Sequence, residues 1–290
     1  MQRRTLLASF AASTFLPLPT RAAATVVTTR DQQRLAVIDR GAGKPVVLIH
    51  SWSLGAAIWT LQTEWLAAQG LRVVAYDRRG HAGSDKPAIG YDFDTLASDL
   101  AAVLDQLDLT DVTLVGHSMG AGEVARYLAS YGGRRVSRVM LVAPTTPFAL
   151  KTADNPDGIE RAVYDKLVAA LESNPKGYLV AGAPGFFGRN VEPEMVEWGL
   201  SIALQASVPA LVKCLRAFSE TDFRPDMRAF TLPTLIVYGT GDVPQTARNA
   251  ARTAAAIARS QVKAYEGAPH GLFLTDAARF NRDLLEFIRS

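Results

Sequence analysis

The chain has 290 residues, 48% hydrophobic and 20% charged, enough for one large domain with a sizeable core and unlike a disordered or fibrous protein. Its formal net charge of +3 comes from 31 basic and 28 acidic residues, and Arg3, Arg4 and Arg21 account for the whole excess. Residues 25–290 are therefore charge-balanced and carry no basic stripe interleaved with aromatics, so no nucleic-acid partner is expected.

The first 24 residues read as a leader. Arg3-Arg4 precede an apolar run over 6–18, and Ala22-Ala23-Ala24 follow. A basic start, an apolar middle and small residues at the end are the marks of an export signal. The paired arginines resemble a twin-arginine signal; an ordinary secretory signal or an N-terminal anchor is the alternative. Cleavage after Ala24 is expected, which predicts an exported, periplasmic or secreted protein. The run is too short, and too broken by Pro17 and Pro19, for a spanning helix, so no stable membrane span is expected after cleavage.

Beyond the leader, 26–29 and 34–39 suggest an opening hairpin. Runs rich in β-branched residues follow at 45–50, 72–77, 112–117, 138–143, 234–239 and 261–266. The middle ones are continuously apolar, as parallel strands covered on both faces should be. Helical patterns separate them at 57–69, 93–107, 119–131 and 245–258, and another closes the chain at 275–289. The alternation predicts an α/β fold with a mostly parallel, doubly wound sheet. Residues 147–233 break the rhythm: helical patterns at 159–172, 191–204 and 208–219, a Gly/Pro/Phe loop at 181–190, and no buried strand. They read as a helical cap inserted between two core segments, 25–146 and 234–290, and lying over the C-terminal edge of the sheet. Cys214, the single cysteine, sits in an apolar helical stretch and reads as a buried small hydrophobe.

The chemistry begins at Gly116-His117-Ser118-Met119-Gly120, where a buried strand becomes a helix. Glycine on both sides lets the backbone turn sharply, and the serine at the apex is pushed out above the sheet. The helix N-terminus aims free N–H groups at the same place. Ser118 is thus a presented nucleophile. A serine needs a base. Of His50, His81, His117 and His270, only His270 follows Ser118 with room to lie elsewhere in the fold, just past the last strand. The base needs a carboxylate to orient it. Asp242, at the end of the 234–239 strand, lies between them in chain order; Asp222 and Asp226 are rivals within the insertion. Two N–H donors are needed for the tetrahedral oxyanion. The backbone of Met119 is one, and that of Trp52, in the loop after the 45–50 strand, is the other. The Trp52 side chain reads equally as a pocket wall or a core aromatic. Arg78 and Arg79 read as braces of their own loop. Phe186, Phe187 and Trp198 read either as pocket walls or as core of the insertion.

These residues together resemble the α/β-hydrolase superfamily, and within it the cofactor-free haloperoxidase, perhydrolase and aryl-esterase group. The resemblance spans 25–290 and is carried by YDRRGHAGSDKP (76–87), GHSMG (116–120), NPDGI (155–159), SETDFRPDM (219–227) and the long YEGAPHGLFLTDAARFNRDLLEFI (265–288). It implies an α/β-hydrolase fold, a triad of Ser118, Asp242 and His270, an oxyanion hole from Trp52 and Met119, and no metal or other cofactor. It also implies a small-molecule ester or carboxylic acid as substrate. Four departures stand out. Ser51 replaces a usual glycine, which predicts a shifted oxyanion loop. Ser53 stands where peracid-forming members often carry proline, which predicts poor perhydrolysis. Asp242 is followed at once by Val243-Pro244, a shortened loop that predicts a displaced carboxylate. Ala82 replaces glycine in the 76–85 loop. The leading expectation is a secreted serine hydrolase of small carboxylic esters. A perhydrolase making peracids with hydrogen peroxide is the first alternative. A catalytically silent scaffold that only binds is the second, resting on the shortened loop.

Overall fold

The computed structural model describes residues 25–188 and 191–290; the leader and its expected cleavage site lie outside them. Eight strands form one sheet: β1 (Thr25–Thr28), β2 (Arg34–Arg40), β3 (Pro45–Ile49), β4 (Arg72–Tyr76), β5 (Val112–His117), β6 (Val136–Val142), β7 (Thr234–Gly239) and β8 (Ser260–Tyr265). Their spatial order is β1-β2-β4-β3-β5-β6-β7-β8. The β1-β2 hairpin and the β2/β4 pair are antiparallel, and every pair from β4 to β8 is parallel. The chain therefore winds outward in both directions from β3 and β5. The crevice above their carboxyl ends is where such sheets place their sites.

The helices are α1 (Thr60–Ala68), α2 (Phe93–Gln106), α3 (Met119–Tyr131), α4 (Arg161–Ser173), α5 (Pro175–Phe187), α6 (Pro193–Ala203), α7 (Val208–Glu220), α8 (Pro244–Ala256), the single turn α9 (Leu272–Thr275) and α10 (Ala277–Arg289). Residues of α2, α3 and α8 close one face of the sheet through Leu96, Leu100, Val124 and Ala250. Residues of α1 and α10 close the other through Leu66, Phe280 and Leu284. β5 is buried at all six positions, which is why its sequence reads as an unbroken apolar run. Cys214 is fully buried in α7, and burial pushes its thiol up to about 12.

Four helices, α4 to α7, separate β6 from β7. Most of their buried apolar residues, among them Leu171, Leu179, Phe187 and Leu211, belong to the same cluster as α1 and α10, while Ala210 and Cys214 of α7 join the cluster of α2 and α3, so the cap shares a core with the sheet. The Gly/Pro/Phe stretch expected as a loop is, through Phe187, the second half of α5, with Pro184 inside the helix. Local propensity argues against that helix, but its start and its packing hold it. Pro175 opens it, Asn174 accepts the Gly177 N–H at 2.9 Å, and Leu179, Ala183 and Phe187 are buried. Among the described residues no single helix is long and apolar enough to cross a membrane.

Candidate active site

Ser118 sits between β5 and α3 at φ 54 and ψ −112, a conformation that an L-residue adopts only under constraint. The flanking glycines explain how. A Cβ at Gly116 would lie 2.6 Å from the Gly120 carbonyl oxygen, and one at Gly120 would lie 2.8 Å from the Ile49 carbonyl oxygen. Both neighbours are backbone and cannot step aside. The Ser118 N–H donates to the Val142 carbonyl at 2.8 Å, so the turn is fastened to the end of β6.

His270 lies in the loop between β8 and α9. Its Nδ1 is 2.6 Å from Asp242 Oδ2. An ionised carboxylate only accepts, so Nδ1 carries the proton and Nε2 keeps its lone pair free. The Asp242 carboxyl is 3% exposed. Burial works against its charge, but the His270 hydrogen bond and charge, with the Val243 N–H at 2.6 Å, hold it below the usual carboxylate range. The shortened loop has not displaced it. Thr240 N–H donates to Tyr265 O at 2.9 Å, Gly241 N–H to Ala268 O at 3.0 Å, and Gly267 N–H to Thr240 Oγ at 2.7 Å. These bonds stitch the acid loop to the histidine loop, so Asp242 and His270 are positioned as one unit.

Ser118, Asp242 and His270 line one cavity of about 330 Å³, with Ser51, Trp52, Ser53 and cap residues including Tyr178, Leu179, Phe186, Phe187, Leu200 and Phe218. No hydrogen bond joins Ser118 to His270 among the described residues. Among the described residues, Asp242 and His270 are the only acidic or basic side chains in the walls. Phe186 and Phe187 face the cavity, whereas Trp198 packs half-buried in the cap. The backbone N–H of Trp52 has no protein partner among the described residues, and that of Met119, the first residue of α3, lies beyond reach of an intrahelical acceptor. The Trp52 indole donates to Leu211 O in α7 at 2.8 Å and so is pinned to the cap. The rivals to Asp242 are engaged elsewhere: Asp222 with Arg224, Asp226 with Arg126. Among the described residues no three His, Cys, Asp or Glu side chains are grouped to hold a metal ion.

Sequence reasoning missed His117. Its ring is fully buried 4.8 Å from the His270 ring, and its Nε2–H donates to the His270 carbonyl at 3.1 Å. Burial first, then the neighbouring His270 ring, holds it well below the usual histidine range. Adjacency to Ser118 hides this contact, because side chains at successive positions of a strand end point to opposite sides.

A family profile described as the alpha/beta hydrolase fold matches residues 44–277. A non-heme chloroperoxidase of Kitasatospora aureofaciens is 39% identical over 274 residues, 91% of this chain and 98% of its own. A bifunctional esterase/perhydrolase of Acinetobacter calcoaceticus is 35% identical over 277 residues, 91% of this chain and 99% of its own. The crystal structure of a bromoperoxidase from Bacillus anthracis superposes with a TM-score of 0.88 at 38% identity, covering 92% of this chain and all of that one.

Proposed function

The chain belongs to the alpha/beta hydrolase fold family, in its non-heme haloperoxidase and esterase group, and on that premise we propose that it is an exported serine hydrolase of small carboxylic esters. One observation carries the reading: the 2.6 Å pair of His270 and Asp242 shares the wall of an apolar cavity with the strained Ser118. In this reading the Ser118 hydroxyl attacks the ester carbonyl while His270 Nε2 takes its proton. The oxyanion is met by the N–H groups of Trp52 and Met119. Protonated His270, held by Asp242, delivers the proton to the leaving alcohol. His270 then takes a proton from water as the water oxygen bonds to the acyl carbon; the acyl–Oγ bond breaks, the acid leaves, and His270 returns the proton to Ser118 Oγ.

The aromatic and aliphatic cap residues favour an uncharged ester, because a charged group would lose its hydration against them. Export rests on the leader sequence, and N-terminal sequencing of protein recovered outside the cytoplasm should begin at Thr25 or close to it. Purified protein should turn over p-nitrophenyl acetate, butyrate and octanoate, and Ser118→Ala should abolish all three. Wild-type turnover surviving in Ser118→Ala would sink the reading.

Perhydrolysis is the second reading, favoured by the names of the relatives. One geometric fact weighs against it as the main activity. Ser53 has φ 65, and proline is fixed near −65°, so this oxyanion loop follows a path that the proline of peracid-forming members cannot take. Halide oxidation dependent on peroxide and acetate, at a rate matching ester hydrolysis, would favour the second reading. The binding-scaffold alternative loses its main support, since Asp242 stands within hydrogen-bond reach of His270.

A further inference from the structure

Beneath the oxyanion loop lies a charged network whose side chains do not line the cavity. Arg78, just past β4, is 1% exposed, and Glu123, on α3 five residues after Ser118, is 0% exposed. Arg78 Nε donates to Glu123 Oε1 at 2.5 Å, and its Nη2 meets the same oxygen. Tyr76 Oη donates to Glu123 Oε2 at 2.9 Å. The remaining donors of Arg78 reach the loop after β3: Nη2 to the His50 carbonyl at 2.7 Å and Nη1 to the Ser51 carbonyl at 3.2 Å. The Arg78 N–H donates to His50 Nε2 at 2.9 Å, which fixes the tautomer, and His50 Nδ1–H then donates to the Ser51 carbonyl at 2.7 Å.

The Ser51 carbonyl and the Trp52 N–H belong to one peptide unit. That unit is planar and trans, so its C=O and N–H point in opposite directions. Two donors hold the carbonyl down in the buried network. The N–H is thereby aimed the other way, while the Trp52 indole is fixed from above by Leu211. The same guanidinium is anchored on α3, the helix whose first N–H is that of Met119. A single buried strut thus spans the ends of three neighbouring strands, β4, β3 and β5.

We propose that Arg78 and Glu123 are positioning residues for ester hydrolysis: they lock the Ser51–Trp52 peptide so that the Trp52 N–H and the Met119 N–H keep a fixed separation around the oxyanion. The proposal rests on the Ser118 reading above. It separates their role from plain stability, because a buried ion pair contributes little net stability compared with an apolar pair of similar volume. A pair of apolar residues can fill the space but cannot hold two carbonyls.

The test uses the Arg78→Met/Glu123→Leu double variant, with Glu123→Gln as a near-isosteric single change should the double variant not fold. Cooperative thermal unfolding establishes the folded state of each. Three quantities are then read: kcat and KM for p-nitrophenyl butyrate, and the inhibition constant of phenylboronic acid, which forms a tetrahedral adduct on a serine nucleophile. For folded variants we expect kcat to fall roughly 10- to 100-fold with KM within about threefold, since a donor is misplaced rather than removed. Boronate affinity should weaken by the same factor as kcat. A folded variant with wild-type kcat, or one whose kcat falls without loss of boronate affinity, overturns the assignment. Ser118→Ala run alongside separates the two levels: retained turnover there would mean that the Ser118 reading has failed, not the strut.

Discussion

Asp242→Asn tests the centre of the site. Asparagine keeps the size of the side chain but removes the charge and reverses the hydrogen-bond logic. Its amide NH₂ can donate to His270 Nδ1, which would place the imidazole proton on Nε2, where it cannot accept from Ser118. The second effect is electrostatic. When His270 becomes an imidazolium it sits against a carboxylate 2.6 Å away that is 3% exposed. Two unit charges about 3 Å apart at an effective dielectric near 20 attract by about 5 kcal/mol. At 1.36 kcal/mol per tenfold, loss of most of that term slows acylation by roughly 10³–10⁴. The assay is kcat/KM on p-nitrophenyl butyrate for wild type and variant, with circular dichroism to show that the fold is kept. KM should change little, because Asp242 stabilises charge that exists only in the transition state. A folded Asp242→Asn protein within tenfold of wild type would refute the reasoning and return the shortened loop to prominence.

Three further outcomes follow from local geometry. Ser53 is 7% exposed at φ 65, so Ser53→Gly should raise the free energy of unfolding by up to about 1 kcal/mol, whereas Ser53→Pro should lower it by more than about 1 kcal/mol; equal denaturation midpoints for the two would contradict the strain. Phe187 is 3% exposed on the cavity wall, and Phe187→Ala should cost about 3 kcal/mol of stability while raising octanoate turnover relative to acetate; an unchanged acyl-chain ranking would remove Phe187 from the acyl wall. The Arg79 hydrogen bond first, helped by Thr29, lowers Asp31 from 3.8 to about 2. A depressed carboxylate stabilises the fold above its unfolded value and loses that contribution as pH falls through its folded value. Asp31→Asn should therefore lower Tm slightly at neutral pH, since Asp31 is half exposed, and the difference should shrink as pH falls towards 2; an offset constant with pH would refute it.

The alternation of strands and helices is legible in the sequence because both faces of the parallel strands are covered, so apolar runs mark them directly. Gly116-x-Ser118-x-Gly120 is legible for a steric reason, as the 2.6 and 2.8 Å approaches leave no room for a side chain. Helix α5 is not legible: glycine and proline lower its intrinsic propensity, and what holds it is packing contributed by distant residues. The expected shift of Asp242 fails for a related cause. Loop length is local, but the bonds from Thr240 and Gly241 to Tyr265 and Ala268 that fix the acid are made across two strands. Glu123 does carry a signal in the sequence. An acid among small and apolar residues on a helix following a buried strand has to find a cation, and Arg78, in a loop after another central strand, was available.

Two strained backbone positions, Ser118 at φ 54 and Ser53 at φ 65, line one cavity, and the fully buried pair of Arg78 and Glu123 lies beneath it. Strained backbone of this kind costs about 1–3 kcal/mol per residue and persists only where the surroundings over-determine it. Here the surroundings are identifiable. Val142 and the glycine contacts hold Ser118, the Ser51 carbonyl bonds and the Leu211 clamp bracket the loop after β3, and the Tyr76 hydroxyl donates to the Glu123 carboxylate. In the proposed reaction these restraints fix Ser118 and, through the Ser51–Trp52 peptide, the Trp52 N–H, groups that must be placed before charge develops on the substrate. The cap, by contrast, contributes apolar side chains to the same cavity, and these can change volume without moving those atoms. Substitutions in the cap should therefore alter which ester is chosen, and substitutions in the strut should alter how fast any ester is cleaved.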